Sequence, residues 1–349
     1  MQLLESTLLT GPYDWDEHVL PRSEYEPRIE HVRAAMTQAG ATMLAVFGHP
    51  GDCGALAYLT NFTAKVGPAM ALVPREGALR ILASGTPKMM DTAKLLTWVE
   101  DVRPLGNATK TVAEFVGDGN TLATWGFGAL PQGLYSGIAK AMAPRELVSL
   151  DQVMDPVRRH KSPREIELIR GATRFLTAAT DAFARSLRAG NGARSAALAA
   201  ERAAIAAGAQ DARAMASLSA GGVPLPLDAA SDERVLDPAN AGIAVQNHGY
   251  WASGTVTFAR GSGAAGARAR AREALAAALA AARGGARLPD GIAANATGLS
   301  LEEGPGAPLE AGAVYAVTSS ATEGDETAYA SALVAVTEKG CEALWQGPA

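Results

Sequence analysis

Residues 244–261 read AVQNHGYWASGTVTFARG, and this stretch decides how the second half of the chain folds. β-branched and aromatic side chains alternate with small ones along it, which is typical of strands that are buried on one face. The stretch therefore predicts a twisted hairpin in a half-buried sheet, with His248 at its edge. The rest of the chain is best understood as the scaffold around this hairpin.

The composition predicts a globular protein of about two domains. The chain has 349 residues, of which 48% are hydrophobic and 19% charged, so it can bury a sizeable core and needs no membrane. A net charge of −5 argues against a nucleic-acid partner, since phosphate-binding surfaces carry a basic excess. Arg268, Arg270 and Arg272 form the one basic run. Their alternate spacing spreads three guanidinium groups around a helix, so we expect a solvated helix face there.

Cysteine usage and the first residues indicate a cytoplasmic protein. Cys53 and Cys341 lie near opposite ends of the chain, which predicts neither a disulfide framework nor a CxxC site and is typical of a reducing compartment. The opening residues MQLLESTLLTGPYDWDEH lack a basic n-region, a long apolar core and an A-x-A pattern, so we expect no secretory signal.

The first part of the chain alternates between strand and helix patterns, which predicts an α/β domain over residues 1–155. Its first helix is expected over Ser23–Gly40, capped by the S-x-x-E pattern of Ser23 and Glu26. Predicted strands are Met43–Phe47, Ala69–Val73, Leu79–Ala83 and Thr121–Phe127, and predicted helices are Met89–Leu96, Thr111–Val116 and Leu134–Met142.

The second domain is expected over residues 156–349. Ser162, Pro163 and Glu165 together make a capping box with proline at the first helical position, followed by an apolar stripe. Two further helices are predicted over Ser195–Ala207 and about Ala267–Arg283, the second rich in alanine.

Several motifs resemble the pita-bread superfamily of creatinase, prolidase, aminopeptidase P and methionine aminopeptidase. The run GYWASGTVTF, residues 249–258, resembles the signature GY-x-S-D-x-T-R-T-F. Similar matches are YLTNF (58–62), the junction VMDPVRRHKSPREIELIR (153–170), the segment 298–305, and the closing hairpin 312–318 with 332–340. The resemblance implies an α/β creatinase/prolidase-like N-terminal domain followed by an α+β C-terminal pita-bread domain. Members of this family usually have a further helix before the segment that corresponds to Gly298, and this sequence is too short there to contain it.

The resemblance also implies where metal ligands would lie, and none is retained. Metal-dependent members use two Asp, one His and two Glu to hold two divalent ions. The first Asp corresponds to Gly242 if the spacing to the hairpin is kept, or to Val245 if the preceding turn is the anchor. We therefore expect no metal, no other cofactor and no metalloaminopeptidase activity. The other four ligand positions carry Ser253, Asn295, Thr318 and Ser331.

Creatinase, which works in this fold without a metal, is matched no better. The loop that corresponds to its histidine loop, residues 221–236, contains no His, and its glutamates correspond to positions near Thr255 and Thr318. The remaining catalytic candidates are Glu302 and Glu303, at the H-E positions of the family segment, and His248. Of these, Glu303 is expected to be the most important, as a lone carboxylate among uncharged neighbours.

Two functions remain open at this stage. One is a metal-independent hydrolase or lyase that acts on a small amino-acid-derived substrate. The other is a non-catalytic protein that binds a small-molecule ligand or partners an active relative. In both, a small uncharged pocket is expected to bind the ligand. Its residues would be Tyr250, Ser253, Asn295, Thr318 and Ser331.

The resemblance further implies assembly. Creatinase and prolidase relatives are dimers, so we expect a homodimer or a heterodimer with a paralogue. The turn-rich loop His49–Gly54 is the candidate to reach the cleft of the other subunit.

Overall fold

The computed structural model describes residues 15–117, 121–226, 235–306 and 308–348. By its internal contacts the chain divides into two compact units, Met1–Arg158 and Arg159–Ala349. Residues 1–14, which belong to the segment inspected for a secretory signal, and residues 227–234 of the loop that corresponds to the creatinase histidine loop lie outside the described residues.

The first unit is built on a six-stranded mixed sheet in the order β4-β3-β2-β1-β5-β6. The central strand β1 runs antiparallel to β2 and parallel to β5. All six residues of β1 are buried, as expected for a strand covered on both faces. The strands are β1 Met43–Gly48, β2 Ala69–Pro74, β3 Arg80–Ala83, β4 Asp101–Pro104, β5 Leu122–Trp125 and β6 Val148–Ser149.

Helices cover this sheet and close its core. The core joins Phe47 and Leu72 of the sheet to Val112 and Ile138 of two helices. The segment predicted as one helix over Met89–Leu96 is instead a short α-helix, α3, between two 3₁₀ turns, Pro87–Met89 and Lys94–Leu96. The helices of the unit are α1 Arg22–Gln38, α2 Gly54–Thr60, α3 Met90–Ala93, α4 Ala108–Val116, α5 Gln132–Met142 and α6 Asp151–Arg159, which ends as the second unit begins.

The second unit contains two antiparallel sheets with long helices. The sheets have the orders β10-β9-β7-β8 and β12-β11-β13-β14-β15. The predicted capping box of the first long helix is present, with Ser162 accepting from the Glu165 amide and Glu165 accepting from the Ser162 amide. The helices are α7 Pro163–Arg188, α8 Ala193–Ala206 and α9 Ala265–Ala281. The strands are β7 Asp211–Ser217, β8 Pro224–Leu225, β9 Ala239–Asn247, β10 Tyr250–Phe258, β11 Ile292–Ala296, β12 Gly304–Pro305, β13 Val314–Glu323, β14 Glu326–Val336 and β15 Cys341–Gln346.

The predicted hairpin is confirmed as β9 and β10, which pair in register from Tyr250 opposite Asn247. The two residues between them, His248 and Gly249, have φ values of 45° and 84°. Both lie in the left-handed region that a tight two-residue hairpin turn demands, and glycine meets this demand without a steric cost. Among the described residues, the structure contains no helix that is both long and apolar enough to cross a bilayer.

Candidate functional site

A cleft of about 540 Å³ lies in the second unit, against the β7-β9-β10 sheet and strands β11 and β13. Its volume is in the range of small-molecule sites. Three of its lining residues are ionisable: Glu201, Arg213 and Glu302. The others are Ala214, Met215, Pro226, Gly242, Ile243, Ala244, Ser253, Gly254, Thr255, Ala293, Asn295, Leu301, Ala316 and Thr318.

Three of the predicted ligand-binding side chains come together at this cleft: Ser253, Asn295 and Thr318. They arrive from three different strands, β10, β11 and β13. The side chains of Ser253 and Asn295 make no hydrogen bond with any described residue, so their hydroxyl and amide groups are available to a ligand.

Ser331 lies behind Thr318 and supports it. The two residues face each other across β13 and β14, and their hydroxyl oxygens are 2.5 Å apart. The Ser331 hydroxyl also accepts from the Thr255 amide at 3.0 Å, and the residue is only 2% exposed. Ser331 therefore orients a lining residue and joins the two sheets of this unit.

The two positions considered for the first aspartate have different surroundings. Gly242 lines the cleft. Val245 is fully buried and pairs with Ala252, the neighbour of Ser253 in β10, so its side chain lies on the face of the sheet opposite to Ser253. The space above Gly242 is filled by Met215, whose terminal methyl carbon would lie 3.2 Å from a Cβ at position 242. An apolar group thus occupies the place where a first metal-binding carboxylate would project.

Arg213 is a cleft residue that the sequence motifs did not single out. Its guanidinium lies 4.6 Å from the ring centroid of Trp251, and its Nη2 and Nε donate to Asp211 at 2.9 and 3.3 Å. Stacking and pairing hold the group in place and leave Nη1 available to a ligand. The alternation of Asp211 and Arg213 in the strand-like run DARAMAS was the signal that could have identified it.

The two adjacent glutamates have separate environments. Glu302 is exposed, lines the cleft and makes no hydrogen bond or ion pair with a described residue. Glu303 is bonded to Lys161, with Glu303 Oε2 and Lys161 Nζ 2.5 Å apart and each side chain 1% exposed. The expectation that Glu303 has only uncharged neighbours is therefore wrong, because the ammonium group of Lys161, two residues before α7, lies against it.

Two other predicted residues lie away from the cleft lining. His248 is in the turn of the hairpin. Tyr250 is fully buried, and its hydroxyl donates to Glu165 Oε1 at 3.0 Å. Tyr250 is one residue out of phase with Trp251 and Ser253, so its side chain leaves the opposite face of the sheet.

The donor set of the cleft does not fit a dinuclear metal centre. Divalent ions of that kind need carboxylates and imidazoles, whereas these positions supply hydroxyl and amide groups and a methionine methyl. In the described ranges, no cluster of three or more His, Cys, Asp or Glu side chains is arranged to hold a metal ion.

The comparisons with known proteins agree with this architecture. Residues 28–160 match the family described as the Creatinase/Prolidase N-terminal domain. No curated protein matches the chain.

Solved structures match nearly the whole chain. The X-Pro aminopeptidase of Thermotoga maritima MSB8 superposes with a TM-score of 0.76 at 20% identity, covering 92% of this chain and 98% of that one. The prolidase of Pyrococcus horikoshii OT3 gives 0.74 at 15% identity, with 91% and 98% covered. The dipeptidase PepE of Mycobacterium ulcerans gives 0.70 at 19% identity, with 93% and 96% covered.

At such identities the likeness establishes the fold and not the activity. It confirms the fold class expected from the sequence motifs, an α/β N-terminal domain followed by an α+β pita-bread domain. Residues 28–160 thus match the Creatinase/Prolidase N-terminal domain, and the chain has the pita-bread fold seen in these solved structures.

Proposed function

We propose that the chain binds a small amino-acid-derived ligand in the cleft without a metal ion. One observation carries this proposal. The cleft positions that the resemblance assigns to metal ligands present unengaged polar groups, those of Ser253 and Asn295, on the same surface as the Arg213 guanidinium.

The chemistry of these groups defines the class of ligand. Arg213 Nη1 can donate to a carboxylate, for which a planar guanidinium is well suited. Ser253 and Asn295 can each donate and accept, which suits the amide and hydroxyl groups of an amino-acid derivative. Glu302 offers a carboxylate to an ammonium group, so a zwitterion is bound as readily as an N-acylated acid.

Calorimetric titration in the presence of EDTA tests the proposal. The probes are free amino acids, N-acetyl amino acids, Xaa-Pro dipeptides and their C-terminal amides. We expect binding of carboxylates in EDTA and weaker binding of the amides. Arg213→Met should lower affinity by about 10- to 100-fold, as for a lost charge-assisted hydrogen bond.

Arg103→Met is the matched control. Arg103 pairs with Asp101 two residues before it, as Arg213 does with Asp211, and the two arginine side chains are similarly exposed, 56% and 49%. Equal binding by the two variants, or binding that requires added Mn, Co or Zn, would overturn the proposal.

A second candidate function is metal-independent acid/base catalysis, and the position of Glu302 favours it. This carboxylate lines the cleft and is engaged by no described residue, so it could exchange a proton with a bound substrate. Mass spectrometry of the same probes after incubation with the protein distinguishes catalysis from binding alone. An enzyme yields product and loses roughly two to four orders of magnitude in turnover on Glu302→Gln, whereas a binding protein yields no product.

We also propose that the protein assembles as a homodimer or as a heterodimer with a paralogue, on the strength of the family resemblance at residues 57–62. The His49–Gly54 loop is the segment offered to the partner. Within this loop, His49 and Asp52 are joined by paired backbone hydrogen bonds. A monomeric mass by light scattering at micromolar concentration would rule out the homodimer. Failure to co-purify with a paralogue would rule out the heterodimer.

A further inference from the structure

A second cavity of the same unit, about 210 Å³ in volume, lies beside helix α9 and is separate from the cleft. Two arginines of α9, Arg268 and Arg272, are its charged lining residues. Within the described part of the chain, no carboxylate lines it. The remaining lining residues are Val256, Thr257, Leu275, Ala276, Leu279, Tyr329, Ala330, Ser331, Gln346, Gly347 and Pro348.

The two arginines share one face of α9 because they are four residues apart, with Cβ atoms about 6 Å from each other. Arg270 points elsewhere, since its Nη2 donates to the Thr322 carbonyl at 2.9 Å and lies 3.9 Å from Glu323. The expectation that alternate spacing spreads all three guanidinium groups around the helix is therefore wrong for the outer pair, which converge on one cavity.

The charge of this pair is not neutralised by the described part of the protein. Arg268 Nη1 donates to the Gly261 carbonyl at 3.3 Å, but its Nε is buried and has no hydrogen-bond partner among the described residues. Arg272 makes no hydrogen bond or ion pair with any described residue. A buried donor without a partner is costly, and a bound acceptor would remove that cost.

The other walls supply one more donor and an apolar surface. Tyr329 lines the cavity and carries a phenol hydroxyl that can donate a hydrogen bond, and burial raises the pKa of this group. Leu275, Leu279 and Val256 supply an apolar surface.

We propose that this α9 pocket binds a small oxyanion, a carboxylate or a phosphate, carried on a short apolar body. The guanidinium groups of Arg268 and Arg272 bind the oxyanion, as arginine pairs commonly do. Leu275 and Leu279 contact the apolar body. The site is independent of the ligand proposed for the cleft, since it shares no lining residue with it.

Calorimetry at low ionic strength with benzoate and with inorganic phosphate tests this site. The protein carries Arg213→Met throughout, so that the cleft does not contribute. We expect saturable binding of benzoate with a Kd below about 1 mM, and weaker binding of phosphate, which lacks the apolar body. Arg268→Met and Arg272→Met should each weaken binding by at least about tenfold.

Arg270→Met is the matched control, because it removes a guanidinium from the same helix but not from the pocket. Benzoate binding alone identifies a carboxylate site, and comparable binding of both probes identifies a general oxyanion site. Absence of saturable binding of either probe, or an equal loss in Arg270→Met and in the two pocket variants, overturns the proposal. Thermal unfolding without ligand shows that each variant is folded.

Discussion

Replacing Glu303 by Gln should destabilise the second unit severely. The Lys161 and Glu303 side chains are 2.5 Å apart and each is 1% exposed, so the substitution removes a carboxylate that pairs with a buried ammonium ion. Removing one partner of a buried ion pair typically costs about 3 to 5 kcal/mol. Urea unfolding followed by circular dichroism should therefore show a loss of at least about 3 kcal/mol.

Glu310→Gln is the control for this prediction. Glu310 pairs with Arg159 at 2.9 Å, but the two side chains are 32% and 18% exposed, so its loss should cost about 1 kcal/mol or less. The double variant Lys161→Met with Glu303→Leu should be more stable than either single variant, because both charges of the buried pair are removed together. Equal, small losses for Glu303→Gln and Glu310→Gln would refute the reasoning from burial.

Three further predictions concern packing, pH and metal. Gly254→Ala places a methyl group into the Trp345 ring and should destabilise the protein by about 1 to 3 kcal/mol in chemical denaturation. Burial acts to raise the pKa of Asp101, but hydrogen bonds from Arg103 and Arg80 outweigh it and leave that pKa below the ordinary 3.8. The stability that Asp101 contributes is present above its unfolded-state pKa and is lost as the pH falls through the folded-state value, so Asp101→Asn should flatten the fall in melting temperature below about pH 4. Dialysis against EDTA should leave the melting temperature unchanged, and elemental analysis should find no stoichiometric Mn, Co or Zn; one metal ion per chain would contradict the assignment of the cleft.

Local rules of sequence predicted much of the fold. The hairpin and the capping box at Ser162 depend on residues within a few positions of each other, and both are present. The capping rule gave the wrong start for the first helix, which was expected to be capped by Ser23. Pro21 has an extended backbone, with ψ of 154°, and the helix begins at Arg22. Ser23 is then inside the first turn, where its side chain cannot act as the cap.

The candidate site was less predictable because its electrostatics are long-range. The expectation that Tyr250 and Ser253 both bind the ligand overlooked the alternation along β10, which places Ser253 toward the cleft and Tyr250 on the opposite face. The partner of Glu303, however, is 142 residues away in the chain. No periodicity within a segment reveals such a pairing, so a buried structural carboxylate could not be told from a catalytic one.

The methionine that covers Gly242 bears on whether a metal site could be built in this cleft. A carboxylate introduced at position 242 would meet the Met215 methyl 3.2 Å from its own Cβ. This carboxylate would have to displace the Met215 side chain, and no second metal ligand would be present to help it bind an ion. Each of the other ligand positions faces the same difficulty, because one donor alone holds a divalent ion poorly. A metal centre in this cleft would therefore require several coordinated substitutions, so a single introduced carboxylate should not confer metal binding.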